Sequence, residues 1–174
     1  MSHGQIENDD TAQLTHLAGK YMTFRLAAED YGLEILKVRE IIGLMDITRV
    51  PRSSACIRGV INLRGKVIPV VDLRSKFGLA TTEANDQTVI IVVQVEEKGR
   101  NLTMGLLVDQ VLEVLSIDAA KIEPAPNLAA GTLDDSFILG VAKHEERVIF
   151  LLDIGRVLGA EEVAEVAQVG SAAA

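Results

Sequence analysis

His3, His16 and His144, Cys56, and the adjacent carboxylates Asp134-Asp135, Glu145-Glu146 and Glu161-Glu162 are the residues of this 174-residue chain with the side chains for acid–base, nucleophilic or metal-ion chemistry. Their spacing supports none of it. The three histidines are scattered, without ligand spacing for a metal. His144 sits in the run His144-Glu145-Glu146 and is expected to be exposed and inert. Cys56 has no histidine beside it and reads as a small apolar group rather than a nucleophile. General acid–base work needs carboxylates converging from different elements, and adjacency does not supply that. Gly65-Lys66 lacks the upstream glycine and the following Ser or Thr of a phosphate-binding loop, and no Gly-x-Ser-x-Gly elbow is present. These residues imply no enzyme, no metal and no cofactor. They leave a binding module.

Composition narrows the partners. Apolar residues make up 48% and charged residues 24%, which supplies a core and excludes wholesale disorder. No apolar run approaches the roughly 18 residues that suggest a membrane-spanning helix, so no direct membrane insertion is expected. A single cysteine excludes an internal disulfide framework, and a cytoplasmic setting is expected. Residues 1–80 hold 11 Lys and Arg against 9 Asp and Glu, a net of +2. Residues 81–174 hold 6 against 16, a net of −10. Nine bases fall within residues 37–76, a basic belt in an acidic chain. Such opposed lobes suit charged protein partners, although solvated surface charge alone would look the same. A nucleic-acid-binding small barrel is the alternative. The basic belt favours it, and the acidic total and the 3% aromatic content oppose it.

The elements that must position any binding surface are strands. Residues 1–19 read as a flexible tail. Met22, Phe24 and Leu26 alternate with Tyr21, Thr23 and Arg25, which predicts a strand with one apolar side. Glu29-Asp30 reads as a polar turn into a second strand, Tyr31 to Leu36, with Leu33 and Ile35 inward. Arg58 to Asp72 reads as a hairpin turning at Arg64-Gly65, where glycine supplies a positive φ. Pro69 in its return strand implies an edge or a bulge. Asp72 is an N-cap for a short helix, Leu73 to Phe77, closed by Gly78. Val89 to Val93 is apolar without alternation, as in a strand buried on both faces. Met104 to Val108 and Val111 to Leu115 are further strands, and Glu96 to Arg100 is a charged turn. Residues 161–174 read as a tail, partly helical or frayed.

The two halves repeat. At an offset of 73, Tyr31 to Ile42 lies over Met104 to Leu115, with identities at Gly32/Gly105, Leu33/Leu106, Val38/Val111 and Glu40/Glu113. At an offset of 81, Ile57 to Gly78 lies over Ile138 to Gly159, with identities that include Gly59/Gly140, Ile68/Ile149 and Asp72/Asp153. The change of offset falls in an insertion near residues 125–135. A lone sheet this small buries its apolar face poorly, so each copy should close into a barrel or pack on its twin.

Two stretches carry a resemblance. Tyr31-Gly32-Leu33-Glu34-Ile35-Leu36-Lys37-Val38-Arg39-Glu40-Ile41 and Ile57 through Arg74 resemble the signatures of the CheW-like domain family, and the likeness extends over about residues 20–160. With no room for a kinase or a receiver domain, the chain is most like the family's stand-alone coupling proteins. The resemblance implies a mainly β fold of two similar five-stranded SH3-like barrels, about 20–80 and 86–160, packed on each other with short helices, and it allows termini to be exchanged between them. It implies a non-enzymatic adaptor whose partners are the regulatory domain of the histidine kinase CheA and the cytoplasmic tip of methyl-accepting chemoreceptors, in arrays at the membrane. By motif match, Val38, Glu40 and Arg64 fall at receptor-coupling positions, and Arg58, Gly59 and Asp72 are candidates for kinase contact. The residues keep their own alternatives: Val38 could pack inward, and Glu40 and Arg64 could be ordinary surface charges. A Glu40–Arg64 ion pair ordering the receptor-facing surface is the sharper expectation.

Overall fold

A computed structural model describes residues 17–80, 82–97, 99–124 and 137–157; the expected tail after Glu161, the insertion at 125–135 and most of the N-terminal tail lie outside them. Among the described residues the chain forms β1 (Gly19–Leu26), β2 (Glu29–Glu34), β3 (Val38–Gly43), β4 (Ile57–Leu63), β5 (Lys66–Asp72), α1 (Leu73–Lys76), β6 (Val89–Glu97), β7 (Arg100–Val108), β8 (Gln110–Ile117), β9 (Ile122–Glu123), β10 (Ile138–His144), β11 (Arg147–Leu152) and α2 (Ile154–Val157). The strands make two sheets, one ordered β8-β1-β2-β11-β10-β9 and the other β3-β6-β7-β5-β4. Under the internal repeat these orders are the same. Each sheet also takes strands from both halves: β1 and β2 join β8 to β11, and β6 and β7 join β3 to β5. The result is two small SH3-like barrels whose strands are exchanged. The first sheet counts six strands rather than five because β9 pairs with Val141 and Ala142. Its counterpart in the second sheet is a single bridge from Thr48 to Val60.

Three apolar clusters follow from this exchange. Tyr21, Ile149 and Leu151 fill the first barrel. Ile61, Ile68, Val70, Ile90 and Val92 fill the second. Between the sheets lie Met22, Phe24, Leu33, Val71, Ile91, Val93 and Met104, among others. β6 thus sends Ile90 and Val92 into its barrel and Ile91 and Val93 into the junction, which explains its unbroken apolar run. β1 does the same. Tyr21 and Thr23, read in the sequence as its polar side, are buried, and burial pushes the Tyr21 hydroxyl up to about 12, with Glu34 adding to the effect.

The Arg58–Asp72 hairpin forms in the expected register. Arg64 joins Gly65 at positive φ, 53° and 85°, and the Asn62 side chain accepts the Gly65 N–H at 2.9 Å. Pro69 sits on an interior strand, not an edge. Val60, opposite it, turns its own N–H and C=O away to Thr48, each at 2.8 Å, and pairing of β5 with β7 starts at Val70. No ladder partner therefore needs the proton that proline lacks. Asp72 caps α1 by accepting from the N–H groups of Arg74 and Ser75.

The first turn falls elsewhere than expected. Ala27 adopts φ 55°, and Glu29-Asp30 already belong to β2. Two contacts fix this. The Ala27 N–H donates to the Asp109 carboxylate at 2.8 Å, and Asp30 is drawn inward by Arg25 and Arg147. The second strand also ends early, at Glu34, and Ile35–Lys37 form a 3-10 turn. His144 is half-buried at the end of β10 rather than exposed.

Candidate interaction surfaces

The sequence-derived site residues divide among three places. Glu40, on β3, and Arg64, at the tip of the β4–β5 hairpin, are ion-paired as expected. The carboxylate raises the guanidinium's affinity for its proton, chiefly through the hydrogen bond. The pair stands at a groove of about 650 Å³ whose walls include Arg39, Lys66, Gln94 and Thr103. Its charge is lopsided: Arg39, Arg64 and Lys66 face a single carboxylate, Glu40. An exposed Val67 adds an apolar patch on the rim.

Val38 stands apart from the pair. Val38 pairs with Val93 while Glu40 pairs with Val92, so Arg39 is the extra residue of a β-bulge. The bulge breaks the alternation that would put positions 38 and 40 on one face. Val38 packs against the junction cluster, which is the inward alternative, and Glu40 is turned toward the groove.

Arg58, Gly59 and Asp72 lie at the other end of the hairpin. A strand spacing of ~3.3 Å per residue puts Arg58 roughly 20 Å from Arg64. Arg58 is itself the extra residue of a bulge between Ile57 and Gly59, and its half-exposed side chain reaches Asp72 at 3.3 Å. Asp72 is buried and occupied as a helix cap. Gly59 offers no side chain, and a Cβ there would lie 2.2 Å from the Thr48 carbonyl oxygen. Its place is therefore backbone packing. Arg58 and Asp72 border a smaller hollow of about 300 Å³ that also holds Arg74 and Asp109.

Two acidic residues that sequence reasoning missed organise the rest. Asp109, in the β7–β8 turn, accepts from Arg74 through two bonds of 2.7 and 2.5 Å. Arg74 also donates to the Ala80 carbonyl at 2.8 Å. Burial opposes charge on Asp109, but Arg74 and the Ala27 amide outweigh it, and the carboxyl is held below its ordinary value. Through Ala27 this residue ties the second sheet's helix to the first sheet's opening turn. Asp30 is the other. It is buried and receives Arg25 at 3.3 Å and Arg147 at 3.5 Å, and Arg147 continues to Glu113 at 2.9 Å. The repeat held a signal for this network, since Glu113 lies 73 residues after Glu40.

Five of the six aromatic residues are in ring contact with one another, through Phe24–Tyr31, Tyr31–Phe77, Tyr31–Phe150 and Phe77–Phe137. They join the two sheets at the junction and form no outward platform for bases. Among the described residues no cluster of His, Cys, Asp or Glu is placed to hold a metal ion, and no helix is long and apolar enough to cross a membrane.

A model of the CheW-like domain matches residues 20–162. The chain belongs to the CheW-like domain family. Chemotaxis protein CheW of Klebsiella aerogenes is 38% identical over 158 residues, 88% of this chain and 92% of that one. Chemotaxis protein CheW of Rhizobium meliloti is 36% identical over 149 residues, 86% and 93% of the two chains. The crystal structure of the scaffolding protein TtCheW from Thermoanaerobacter tengcongensis superposes with a TM-score of 0.73 at 36% identity, covering 83% of this chain and 95% of that one. The CheW-like fold seen here is thus the two-sheet arrangement of a solved scaffold, and the Glu40–Arg64 groove and the Arg58 end both lie within the matched residues.

Proposed function

We propose that this protein is a non-enzymatic signalling adaptor that couples the cytoplasmic tips of chemoreceptors to the histidine kinase CheA. The groove beside Glu40 and Arg64 receives the receptor. Arg58 and the neighbouring strand ends face the kinase's regulatory domain. Val38 serves the receptor side from beneath, by packing the bulge that aims Glu40. Gly59 and Asp72 serve the kinase side by fixing the backbone beneath Arg58.

One observation carries this reading. The β4–β5 hairpin presents different charged surfaces at its two ends, separated by a rigid ladder, which is the geometry for holding two partners at once. The receptor tip is a helical hairpin, and an apolar-rimmed groove with cations on its walls suits such a ligand. The protein works in the cytoplasm and reaches the membrane through its partners.

Co-precipitation of the full chain with a CheA regulatory domain and a receptor cytoplasmic fragment tests the proposal. Each should be retained separately and both together. Mutually exclusive retention would refute simultaneous coupling, and loss of neither partner on Arg58→Glu or Arg64→Glu would refute the placement of the two surfaces.

A further inference from the structure

The repeat allows the receptor groove to be compared with its own duplicate in the other sheet. Offsets of 73 and 81 carry Glu40 to Glu113, Arg64 to Glu145 and Lys66 to Arg147. The strand registers extend the match. Gln94 lies opposite Thr103 as Arg25 lies opposite Asp30, each pair one step beyond the equivalent pairs Val93–Met104 and Phe24–Tyr31. Both corners share the bulge, between Val38 and Glu40 in one and opposite Thr23 in the other.

What fills the corners is different. In the first sheet, Arg25, Asp30, Arg147 and Glu113 bond to one another across the corner. The Thr23 hydroxyl closes the bulge by donating to the Glu113 carbonyl at 2.6 Å and accepting its N–H at 3.1 Å. In the second sheet, the neutral Gln94 and Thr103 stand where Arg25 and Asp30 would be, and the site is an open groove. Without the buried carboxylate that Thr103 replaces, Lys66 has no counterpart of Asp30 to fold onto. Its charge and that of Arg39 add to the wall beside the Glu40–Arg64 pair.

We propose that Gln94 and Thr103 are the residues that select this corner: by leaving the groove open, with a net positive wall around its single Glu40–Arg64 pair, they fit it to a helical partner with carboxylates on its edge, while the duplicate corner is closed to partners by its own ion network. This rests on the groove being the receptor surface. Charge complementarity names the occupant: three cations against one carboxylate favour an acidic helix edge.

Transplanting the closed corner tests it. Lys66→Arg, Gln94→Arg and Thr103→Asp together reproduce the first sheet's network in the groove of the second. Binding of a receptor cytoplasmic fragment, measured by calorimetry, should weaken at least tenfold, and binding of the CheA regulatory domain should stay within twofold. A melting temperature near the parent's checks the fold. Where the triple variant does not fold, Gln94→Arg with Thr103→Asp is used and should weaken receptor binding at least threefold. Receptor affinity within twofold of the parent, in a folded variant, overturns the inference. Arg64→Glu in parallel separates the two levels. If it weakens receptor binding while the transplant does not, the selection by Gln94 and Thr103 fails alone. If Arg64→Glu also leaves binding intact, the groove is not the receptor surface and both readings fall.

Discussion

The hairpin tips of β4–β5 and β10–β11 share a backbone and oppose each other in charge. Arg64 and Glu145 occupy equivalent positions at nearly the same φ, 53° and 56°, yet one tip is basic and the other is Glu145-Glu146. The ladders behind them match residue for residue, with a bulge after Ile57 in one and after Ile138 in the other. Backbone geometry and apolar positions have stayed in step across the two copies, while the charges at the hairpin tips and at the positions of Gln94 and Thr103 have diverged. The apolar pattern is held in place by packing that both sheets need. The corners are free to differ because little of the core depends on them.

The largest effect expected from that comparison is one in which the copies behave alike. Ile68 and Ile149 are equivalent and both are buried, at 5% and 0% exposure. Ile68→Asp and Ile149→Asp each bury an unpaired charge and should cost more than about 4 kcal/mol. Because each sheet takes strands from both halves, neither barrel should survive the loss of the other. Circular dichroism and tyrosine fluorescence should report the same single transition for either variant. A variant that keeps half its structure would show that the copies fold independently.

The connections between strands differ more sharply. Asp109 joins β7 to β8, and its counterpart 73 residues earlier is Leu36, which is 88% exposed. Arg74 has Gly155 as its counterpart, so the clamp exists once. Asp109→Asn leaves the Arg74 side chain, 17% exposed, without its carboxylate and should cost about 2 kcal/mol. The pH dependence gives the sign. A carboxyl held below its ordinary value in the fold stabilises above its unfolded value of about 4 and loses that contribution as pH falls through the lowered folded value. The stability gap between parent and Asp109→Asn should therefore be full near neutrality and shrink in acid. A gap that is constant down to about pH 2 would remove the clamp from the account.

Much of this was legible in the sequence, and what was not has a common cause. The Arg58–Asp72 hairpin, the Asp72 cap and the doubly buried β6 follow from turn residues and local patterning. The Glu40–Arg64 pair was within reach because both charges interrupt apolar motifs. The extra residue at Arg39 was not, and it separates Val38 from Glu40; a bulge is settled by pairing with β6, some fifty residues away. Asp30 looked like a turn residue because its partner Arg147 comes 117 positions later. Asp109 carried no local signal, since what it holds is the opening turn of the other sheet. Which copy contributes which strand is likewise decided by long-range pairing, and alternation reads only the face a residue presents.

The closed and open corners should then differ in what a single truncation costs. Asp30→Ala removes the buried hub, but Arg25 and Arg147 are 41% and 32% exposed and can turn to water. The cost should be about 1–2 kcal/mol. Thr103→Ala at the equivalent open position should stay within ~0.5 kcal/mol. Chemical denaturation of the two variants compares them directly, and equal costs would mean that the corners are not differently filled.

The smallest stability effect should accompany the largest functional one. The Arg64 side chain is 70% exposed, and its pair with Glu40 lies at the surface, where solvent screens such pairs and they add little to stability. Arg64→Ala should therefore unfold at the same denaturant midpoint as the parent. In a reconstituted mixture of receptor fragment, kinase and adaptor, however, it should lower kinase activation if the groove is the proposed receptor surface, because the guanidinium paired with Glu40 is lost from its wall. Glu145→Ala at the opposite tip is the internal control. It removes a charge from an equivalent backbone position beside a closed corner, and activation should not change. If both variants lower activation equally, net charge rather than the groove would be responsible, and the distinction between the two corners would lose its functional meaning.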